Sequence, residues 1–286
     1  GNNAVNYKLH PDKLENSYFD YEWRSDNKLP ITVFHKVEER DSCMRLTVQL
    51  TAAQDVYFNY RQLLSTGYRH DNCQFYMPGF WYRRNLRSPK KAPSFHTSDS
   101  WLVREDRLSA PLTGIFSEKE KRFMTVNRLD DFSMDALATH KEGEIILSGK
   151  TSLGFTGFEN QQGIAMLSFG FPYREAPKSY IRKLTLAPEV EAFQLMKKGE
   201  SVLLTWEIME SGADDFSDFI QHTWEHCYDT YAPKPVENSY SIADMKQVLS
   251  CFFVNSLVDN QPLVYNSGIH LKVSDCERNG QAAVGF

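Results

Sequence analysis

The segment ESVLLTWEIM (residues 200–209) decides how the rest of the chain is interpreted. It predicts a β-strand, and one amphipathic helix pattern, a proline-bearing linker and a second helix pattern follow it. Short apolar runs separated by turn residues fill the chain before residue 210 and predict further strands. The chain then ends inside a third apolar stretch, residues 280–286. We therefore expect a β domain that carries the beginning of a helical domain.

The runs before residue 210 predict a large antiparallel β-structure. Residues 44–50 alternate cleanly between apolar and polar side chains, as in a half-buried strand. Other strands are predicted at residues 17–23, 29–37, 101–105, 122–128, 144–150, 164–169, 180–186 and 191–196, with a hairpin loop at 197–200. About a dozen strands in a segment of this length favour two large packed sheets over one small barrel.

Two amphipathic helices are predicted after the last strand. The first has an apolar stripe at three- and four-residue spacing, formed by Phe216, Phe219, Ile220, Trp224, Cys227, Tyr228 and Tyr231. Asp214 or Asp215 can cap its start, and Pro233 ends it. The second begins with Ser241 and Asp244 in a capping-box-like arrangement. Its stripe consists of Ile242, Met245, Leu249, Phe252, Phe253 and Leu257.

These patterns predict three parts in the chain. A β-supersandwich domain takes residues 1–210, a linker helix with its proline-bearing linker takes 211–240, and the beginning of a truncated helical domain takes 241–286. A lone helix cannot bury its own apolar stripe, so each helix must pack on the sandwich or on further helices. An apolar stripe left uncovered favours a homodimer through exposed helices.

Composition excludes several classes of protein. The formal net charge of −5 does not support nucleic-acid binding, and no apolar run has the length of a membrane span. The aromatic content of 13% is high, which suits either a sandwich core or rings exposed for stacking on sugars. The opening Gly1-Asn2-Asn3 is typical of a start left after tag removal. We expect an export signal to have preceded it, and hence a periplasmic or secreted protein.

Cysteine and histidine spacing predicts neither a metal site nor a cofactor. None of the five cysteines forms a CxxC pair or has a histidine at zinc-finger distance, and an odd number argues against a disulfide framework. Cys227 and Cys251 fall on apolar helix faces and are predicted to be buried thiols. His222 and His226 are four residues apart, but Thr223 stands where a metalloprotease needs glutamate.

The order of these parts resembles the N-terminal half of bacterial six-hairpin glycosidases. Residues 203–208 and the helix from Asp215 to Tyr231 carry the resemblance, together with residues 77–85 and 101–109. It implies a β-supersandwich related in fold to galactose mutarotase, then a linker helix and an (α/α)6 barrel that holds the catalytic carboxylates. The barrel would be cut after its first helical segments, so no catalytic residue is assigned.

The best candidate site lies in residues 80–106, where aromatic side chains run into arginines. A ring beside a polar donor suits the apolar face and the hydroxyl rim of a sugar. On a regular strand Arg104 and Asp106 would share one face. The alternative is that these charges form a buried ion network that holds the loop. The predicted substrate-binding residues are Trp81, Tyr82, Arg83, Arg84, His96, Arg104 and Asp106.

We expect the non-catalytic N-terminal part of a glycoside hydrolase that binds an oligo- or polysaccharide. Asp130-Asp131 has the pattern of a turn and Asp214-Asp215 that of a helix start, so neither is an acid–base pair. One alternative is a stand-alone glycan-binding protein. Another is the N-terminal part of a polysaccharide lyase. The basic run at residues 83–91 is compatible with that alternative, because it could face an acidic group such as a uronate carboxylate or a sulfate. The other interpretation of this run is a solvated loop.

Overall fold

The computed structural model describes residues 5, 7–8, 21–24, 29–40, 43–86, 92–129, 141, 143–182, 185–234 and 240–255. The chain divides into two compact units, Gly1–Tyr231 and Ala232–Phe286. The first unit contains all the described strands and one helix, and the second contains the other helix.

The described residues form sixteen strands and two α-helices. Strands β1 to β8 are Tyr21–Arg24, Ile31–Arg40, Cys43–Ala52, Val56–Phe58, Tyr60–Arg69, Cys73–Met77, Trp81–Arg83 and Trp101–Arg104. Strands β9 to β16 are Leu112–Ser117, Arg122–Arg128, Phe155–Gln161, Ile164–Phe171, Arg174–Arg182, Thr185–Glu191, Gln194–Met196 and Ser201–Gly212. The helices are α1, Phe216–Tyr231, and α2, Ile242–Asn255.

Two large antiparallel sheets make up the first unit, which confirms the prediction of a mainly β, two-sheet architecture. The eight-stranded sheet has the order β1-β2-β3-β16-β10-β9-β6-β7, and the six-stranded sheet has the order β14-β13-β8-β11-β12-β5. Strands β15 and β4 form a separate pair. Strand β16, which contains residues 201–209 of the ESVLLTWEIM segment, lies in the middle of the larger sheet between β3 and β10.

The eight-stranded sheet buries apolar side chains on both faces. Alternate residues such as Phe75, Val126 and Trp206 belong to the main core, which also contains Trp101 and Phe158 of the six-stranded sheet. The intervening residues point the other way into a second cluster formed by Tyr76, Leu112, Phe116, Phe123, Met209, Ala213, Phe216, Phe219 and Cys227. Because strand side chains alternate, this pattern places α1 on the outer face of the larger sheet.

Helix α1 forms where its sequence pattern predicts, and part of the predicted stripe is buried. Phe216, Phe219 and Cys227 are buried, whereas Trp224, Tyr228 and Tyr231 are exposed. The Asp215 carboxylate accepts hydrogen bonds from the backbone N–H groups of Ser217 and Asp218 at 2.7 and 3.0 Å, so Asp215 is the N-cap. Phe219 is fully buried and lies over Gly114, where an added Cβ would come 2.5 Å from the Phe219 ring. Because Gly114 has no Cβ, the Phe219 ring of α1 can pack directly against the backbone of β9.

Helix α2 begins with the predicted capping box. The Ser241 hydroxyl accepts from the Asp244 backbone N–H at 3.1 Å, and the Asp244 carboxylate accepts from the Ser241 N–H at 3.0 Å. Cys227 on α1 is buried, as predicted, but Cys251 on α2 is exposed, so the prediction for Cys251 is wrong. Among the described residues, neither helix combines the length and the apolar character that crossing a membrane requires.

Several predicted strands differ in detail from the structure. Residues 144–150 contribute only an isolated bridge between Ile146 and Phe193, and residues 180–186 span the end of β13 and the start of β14. Residues 197–200 form a tight turn, yet β15 and β16 on either side of it belong to different sheets. The first predicted strand begins at Tyr21, and residues 17–20 lie outside the described residues.

Candidate functional site

A cleft of about 370 Å³ opens beside the loop between β6 and β7 and the segment that follows β8. Its walls combine aromatic, amide and charged side chains, and its lining consists of Gly79, Phe80, Asn85, Ala92, Pro93, Asp106, Arg107 and Tyr180. Most of these residues come from the segment predicted from sequence, and Tyr180 comes from β13. The cleft therefore coincides with the predicted site region but uses a different set of side chains.

A tight turn and an asparagine clamp shape the near wall of the cleft. Gly79 has a φ of +76°, and an added Cβ there would meet the Ser109 hydroxyl at 2.6 Å. The Asn85 amide donates to the carbonyls of Phe80 and Pro93 at 3.2 and 3.3 Å, and its oxygen accepts from the Tyr82 N–H at 3.1 Å. These bonds fix the position of Phe80 on the cleft wall.

Two aromatic rings face each other at the cleft. The Phe80 and Tyr180 rings are arranged edge to face, with centroids 5.8 Å apart and an interplanar angle of 84°. Both residues are half-buried, so each ring has a packed side and an accessible side. Such a pair offers an apolar surface whose geometry is set before a ligand arrives.

The polar wall of the cleft is held by ion pairs. A short 3₁₀ helix, Glu105–Arg107, follows β8 and turns Asp106 toward solvent. The Arg104 Nε donates to the Asp106 carboxylate at 2.5 Å, and the Arg107 Nε donates to Glu175 at 2.5 Å. Glu175 also accepts from the Ser179 hydroxyl at 2.5 Å. Each charge at this wall therefore has an opposite charge or a donor beside it.

The 3₁₀ helix corrects the prediction that Arg104 and Asp106 share one face of a regular strand. Strand β8 ends at Arg104, and Glu105 points into the protein. The Glu105 carboxylate accepts from Arg128 Nη1 and from the Gly154 N–H, both at 2.7 Å. Part of the segment is thus the buried ion network that the alternative interpretation described, and it supports the residue that reaches the cleft.

Of the seven predicted site residues, Asp106 lines the cleft and Arg104 supports it from behind. Arg104 is buried, and its guanidinium lies 5.3 Å from the centroid of the Tyr173 ring. Trp81 is a core residue here, because its ring is fully buried against Trp101 and Phe158 and has no surface to offer a sugar.

The other four predicted residues lie away from the cleft lining. Tyr82 packs near Tyr76, and the Arg83 guanidinium lies 4.9 Å from the Phe216 ring of α1. Arg84 donates to the backbone carbonyls of Asp71 and Cys73. His96 makes a 2.9 Å hydrogen bond to the carbonyl of Leu86. Of the basic run, Arg87, Lys90 and Lys91 lie outside the described residues.

Seven of the eight lining residues were not among the predicted site residues, and four of these have aromatic, amide or charged side chains: Phe80, Asn85, Arg107 and Tyr180. Phe80 and Asn85 fall inside the predicted segment, residues 80–106, and Arg107 directly follows it. The Phe80-Trp81-Tyr82 run did not show which ring would be exposed. No sequence pattern near Tyr180 indicated a place in the cleft. Tyr180 reaches it because β13 pairs with β8 at Ala176 and Leu102, and these two strands are far apart in sequence.

A second polar cluster lies on the outer face of the larger sheet, beneath α1. The His226 Nε2 is 2.6 Å from the Glu207 carboxylate, and the Thr230 hydroxyl donates to the same oxygen at 3.3 Å. The hydrogen bond to Glu207 raises the pKa of His226, and the same bond lowers the pKa of Glu207. The Cys43 thiol lies within 4.8 Å of both groups.

Comparison with known proteins finds several solved structures that are similar to the chain, among them the following three. No protein-family model matches the chain, and no curated protein matches it. The Slr1438 protein of Synechocystis sp. PCC 6803 is 9% identical, with 71% of this chain and 65% of that chain covered and a TM-score of 0.34. A galactose mutarotase-like protein from Clostridium acetobutylicum is 8% identical, with 68% and 62% covered and a TM-score of 0.36.

The third structure is an aldose 1-epimerase candidate from Escherichia coli K12. It is 12% identical, with 70% of this chain and 67% of that chain covered, and its TM-score is 0.32. The chain thus spans 65% and 62% of the lengths of the first two proteins.

Proposed function

We propose that the cleft binds a carbohydrate and that the chain is the sugar-binding sandwich part of a carbohydrate-active enzyme. One observation carries the proposal: the facing rings of Phe80 and Tyr180 stand in the same cleft as Asp106, Arg107 and Asn85. Its volume of about 370 Å³ lies within the range of small-molecule sites.

The chemistry of this lining suits a sugar better than a purely apolar ligand. A pyranose ring presents C–H groups on its faces and hydroxyl groups around its rim. The accessible sides of the two rings can pack against the faces. The Asp106 carboxylate can accept from the hydroxyls, since only one of its oxygens receives the short bond from Arg104.

The same contacts favour binding over bond cleavage at this cleft. Glycoside hydrolysis needs one carboxyl group that is protonated and one that is ionised. Among the described residues that line the cleft, Asp106 is the one carboxylate, and it is paired with Arg104. Glu175 is paired with Arg107 and does not line the cleft. We therefore assign these carboxylates to binding and support, and we propose that the catalytic acid and base of the enzyme lie on its helical part.

The proposal is tested by titrating the full chain with glycans selected on an array, using isothermal calorimetry. Tyr180→Ala should weaken binding by about fivefold to tenfold, as expected for the loss of one aromatic contact. Tyr57→Ala is the matched control, because Tyr57 is an exposed strand tyrosine outside the cleft lining. Equal affinities for Tyr180→Ala and wild type, or no glycan bound by wild type, would refute the proposal.

A further inference from the structure

We propose that Cys43, Glu207 and His226 form a binding site for a divalent cation of the zinc class. Their donor atoms all lie within 4.8 Å of one another, beneath α1 on the outer face of the larger sheet. None of the three lines the sugar cleft, so the site is independent of the proposed function.

The donor set is the first argument. Thiolate, imidazole and carboxylate are the three protein ligands that Zn²⁺ uses, at bond lengths of about 2.0–2.3 Å. In a tetrahedral site such ligands lie roughly 3.3–3.7 Å apart, as those bond lengths require. The donors here lie no more than 4.8 Å apart, so shifts of about 1 Å bring each pair to this distance. The pair His226–Glu207, at 2.6 Å, would open by about 1 Å on the same bond lengths.

The fold already holds the three donors together. Cys43 is the first residue of β3 and pairs with Met209 of β16, so it lies diagonally next to Glu207 across the two strands. His226 reaches them from α1, whose docking is fixed independently by Phe216 and Phe219. A cation would therefore meet ligands ordered by packing and would pay little entropy to collect them.

The charge balance is the second argument. Zn²⁺ coordination uses the thiolate of Cys43 and the neutral imidazole of His226, so the proton that each carries in its acid form passes to solvent on binding. The thiolate and the Glu207 carboxylate then carry two negative charges, which a divalent cation neutralises. A neutral cluster suits the burial of Glu207.

The cluster can be reached by a cation from solvent and has a supporting hydrogen bond. The side chain of Glu207 is 7% exposed and that of His226 is 23% exposed, so the site is buried at Glu207 and open to solvent at His226. A fourth ligand from solvent can complete a tetrahedral shell, and the Thr230 hydroxyl hydrogen-bonded to Glu207 can orient the carboxylate. A cation here would join β3, β16 and α1 and so secure the helix on the sheet.

The test uses Co²⁺ as a spectroscopic substitute for Zn²⁺, added to the full reduced chain near neutral pH. We expect one Co²⁺ per chain, with a thiolate-to-metal charge-transfer band in the near ultraviolet and visible bands typical of tetrahedral cobalt. Zn²⁺ should abolish both by displacement. Absence of a saturable band in the wild-type protein would overturn the proposal without any variant being needed.

Variants then assign the ligands. Cys43→Ser should remove the charge-transfer band, and His226→Gln should weaken Co²⁺ binding by at least about tenfold, since loss of an outer-shell partner alone can cost that much. His222→Gln, one turn earlier on α1, and Cys251→Ser are controls that should bind as wild type does. A band that survives Cys43→Ser, or disappears in Cys251→Ser, would place the metal elsewhere and refute the assignment.

A pH series adds a check on the exchange of protons. The titratable groups that act on His226 are Glu207 on β16 and Asp229 on its own helix, and the Cys43 thiol lies beside it on β3. Because two protons leave, Co²⁺ affinity should rise steeply between about pH 6 and pH 8. Affinity that does not change over this interval would contradict coordination by the thiol and the imidazole.

Discussion

The cleft and the polar cluster beneath α1 hold their charges in different ways. At the cleft, Asp106 and Glu175 are paired with arginines, which stay charged at all ordinary pH values. Beneath α1, Glu207 is paired with a histidine and stands beside a thiol, both of which can lose a proton. On our two proposals, the first arrangement would offer a fixed surface to a neutral polar ligand, and the second would exchange protons for a cation.

The largest loss of stability should come from breaking the buried ion pair between Arg128 and Glu105, which lies behind the cleft. Arg128→Met removes the guanidinium that donates to Glu105 at 2.7 Å, below the segment that carries Asp106. Leaving a buried carboxylate without its cation costs about 3–5 kcal/mol of unfolding free energy. Urea unfolding measures the loss. Arg122→Met is the control, because its bond to Glu210 is exposed and should contribute about 0–1 kcal/mol. Equal losses in the two variants would contradict the account.

A smaller loss of stability should follow when a side chain is added between the larger sheet and α1. Gly114→Ala places a methyl group 2.5 Å from the Phe219 ring, so the helix must shift or the ring must rotate. We expect a loss of about 1–3 kcal/mol in urea unfolding, as overpacking usually costs. Gly212→Ala is a suitable control, because its Cβ would meet the nearest atom at 3.7 Å. A Gly114→Ala protein as stable as wild type would show that α1 does not pack closely on β9.

The smallest effect concerns the titratable pair. The folded pKa of His226 is raised, so its contribution to the unfolding free energy is complete below its unfolded pKa of about 6.5. That contribution is lost as the pH rises through the folded pKa. The folded pKa of Glu207 is lowered, so its contribution is complete above its unfolded pKa of about 4.5 and is lost as the pH falls through the folded pKa. The pair should therefore stabilise the protein most between about pH 4.5 and pH 6.5.

The measurement compares wild type with His226→Gln in urea at about pH 5.5 and about pH 8, in the presence of a chelator. The difference in unfolding free energy should be about 0.5–1 kcal/mol at the lower pH and smaller at the higher pH. It should be modest because His226 is partly exposed and the glutamine amide can still donate to the buried Glu207 carboxylate. The cleft variant Asp106→Asn should show no such change between these two pH values, because its partner is an arginine. A difference for His226→Gln that grows with pH would contradict the assigned direction.

The parts of the fold that were predicted from sequence are those that depend on residues close together in the chain. The caps of α1 and α2 and the alternation in β3 depend on neighbouring residues only, and they were predicted correctly. Strand β9 was missed because both of its faces are covered, so its six residues are all buried and show no alternation. The domain boundaries proposed from sequence stay a prediction, as does the start of an (α/α) barrel after residue 240.

The candidate site was predicted only as a region. The sequence indicated a loop rich in aromatic and charged residues, but it did not show that Trp81 would turn inward and Phe80 outward. Tyr180 enters through a strand pairing that is distant in sequence, and Cys43, Glu207 and His226 meet only after α1 has packed on the sheet. Contacts of this kind depend on tertiary structure and have no local sequence signal.

The most direct test of the sugar-binding proposal is a crystal structure of the chain soaked with the glycan that binds best on an array. We expect a sugar ring packed against the accessible sides of Phe80 and Tyr180, with hydroxyl groups bonded to Asp106 or Arg107. A glycan bound at another surface while this cleft stays open would contradict it.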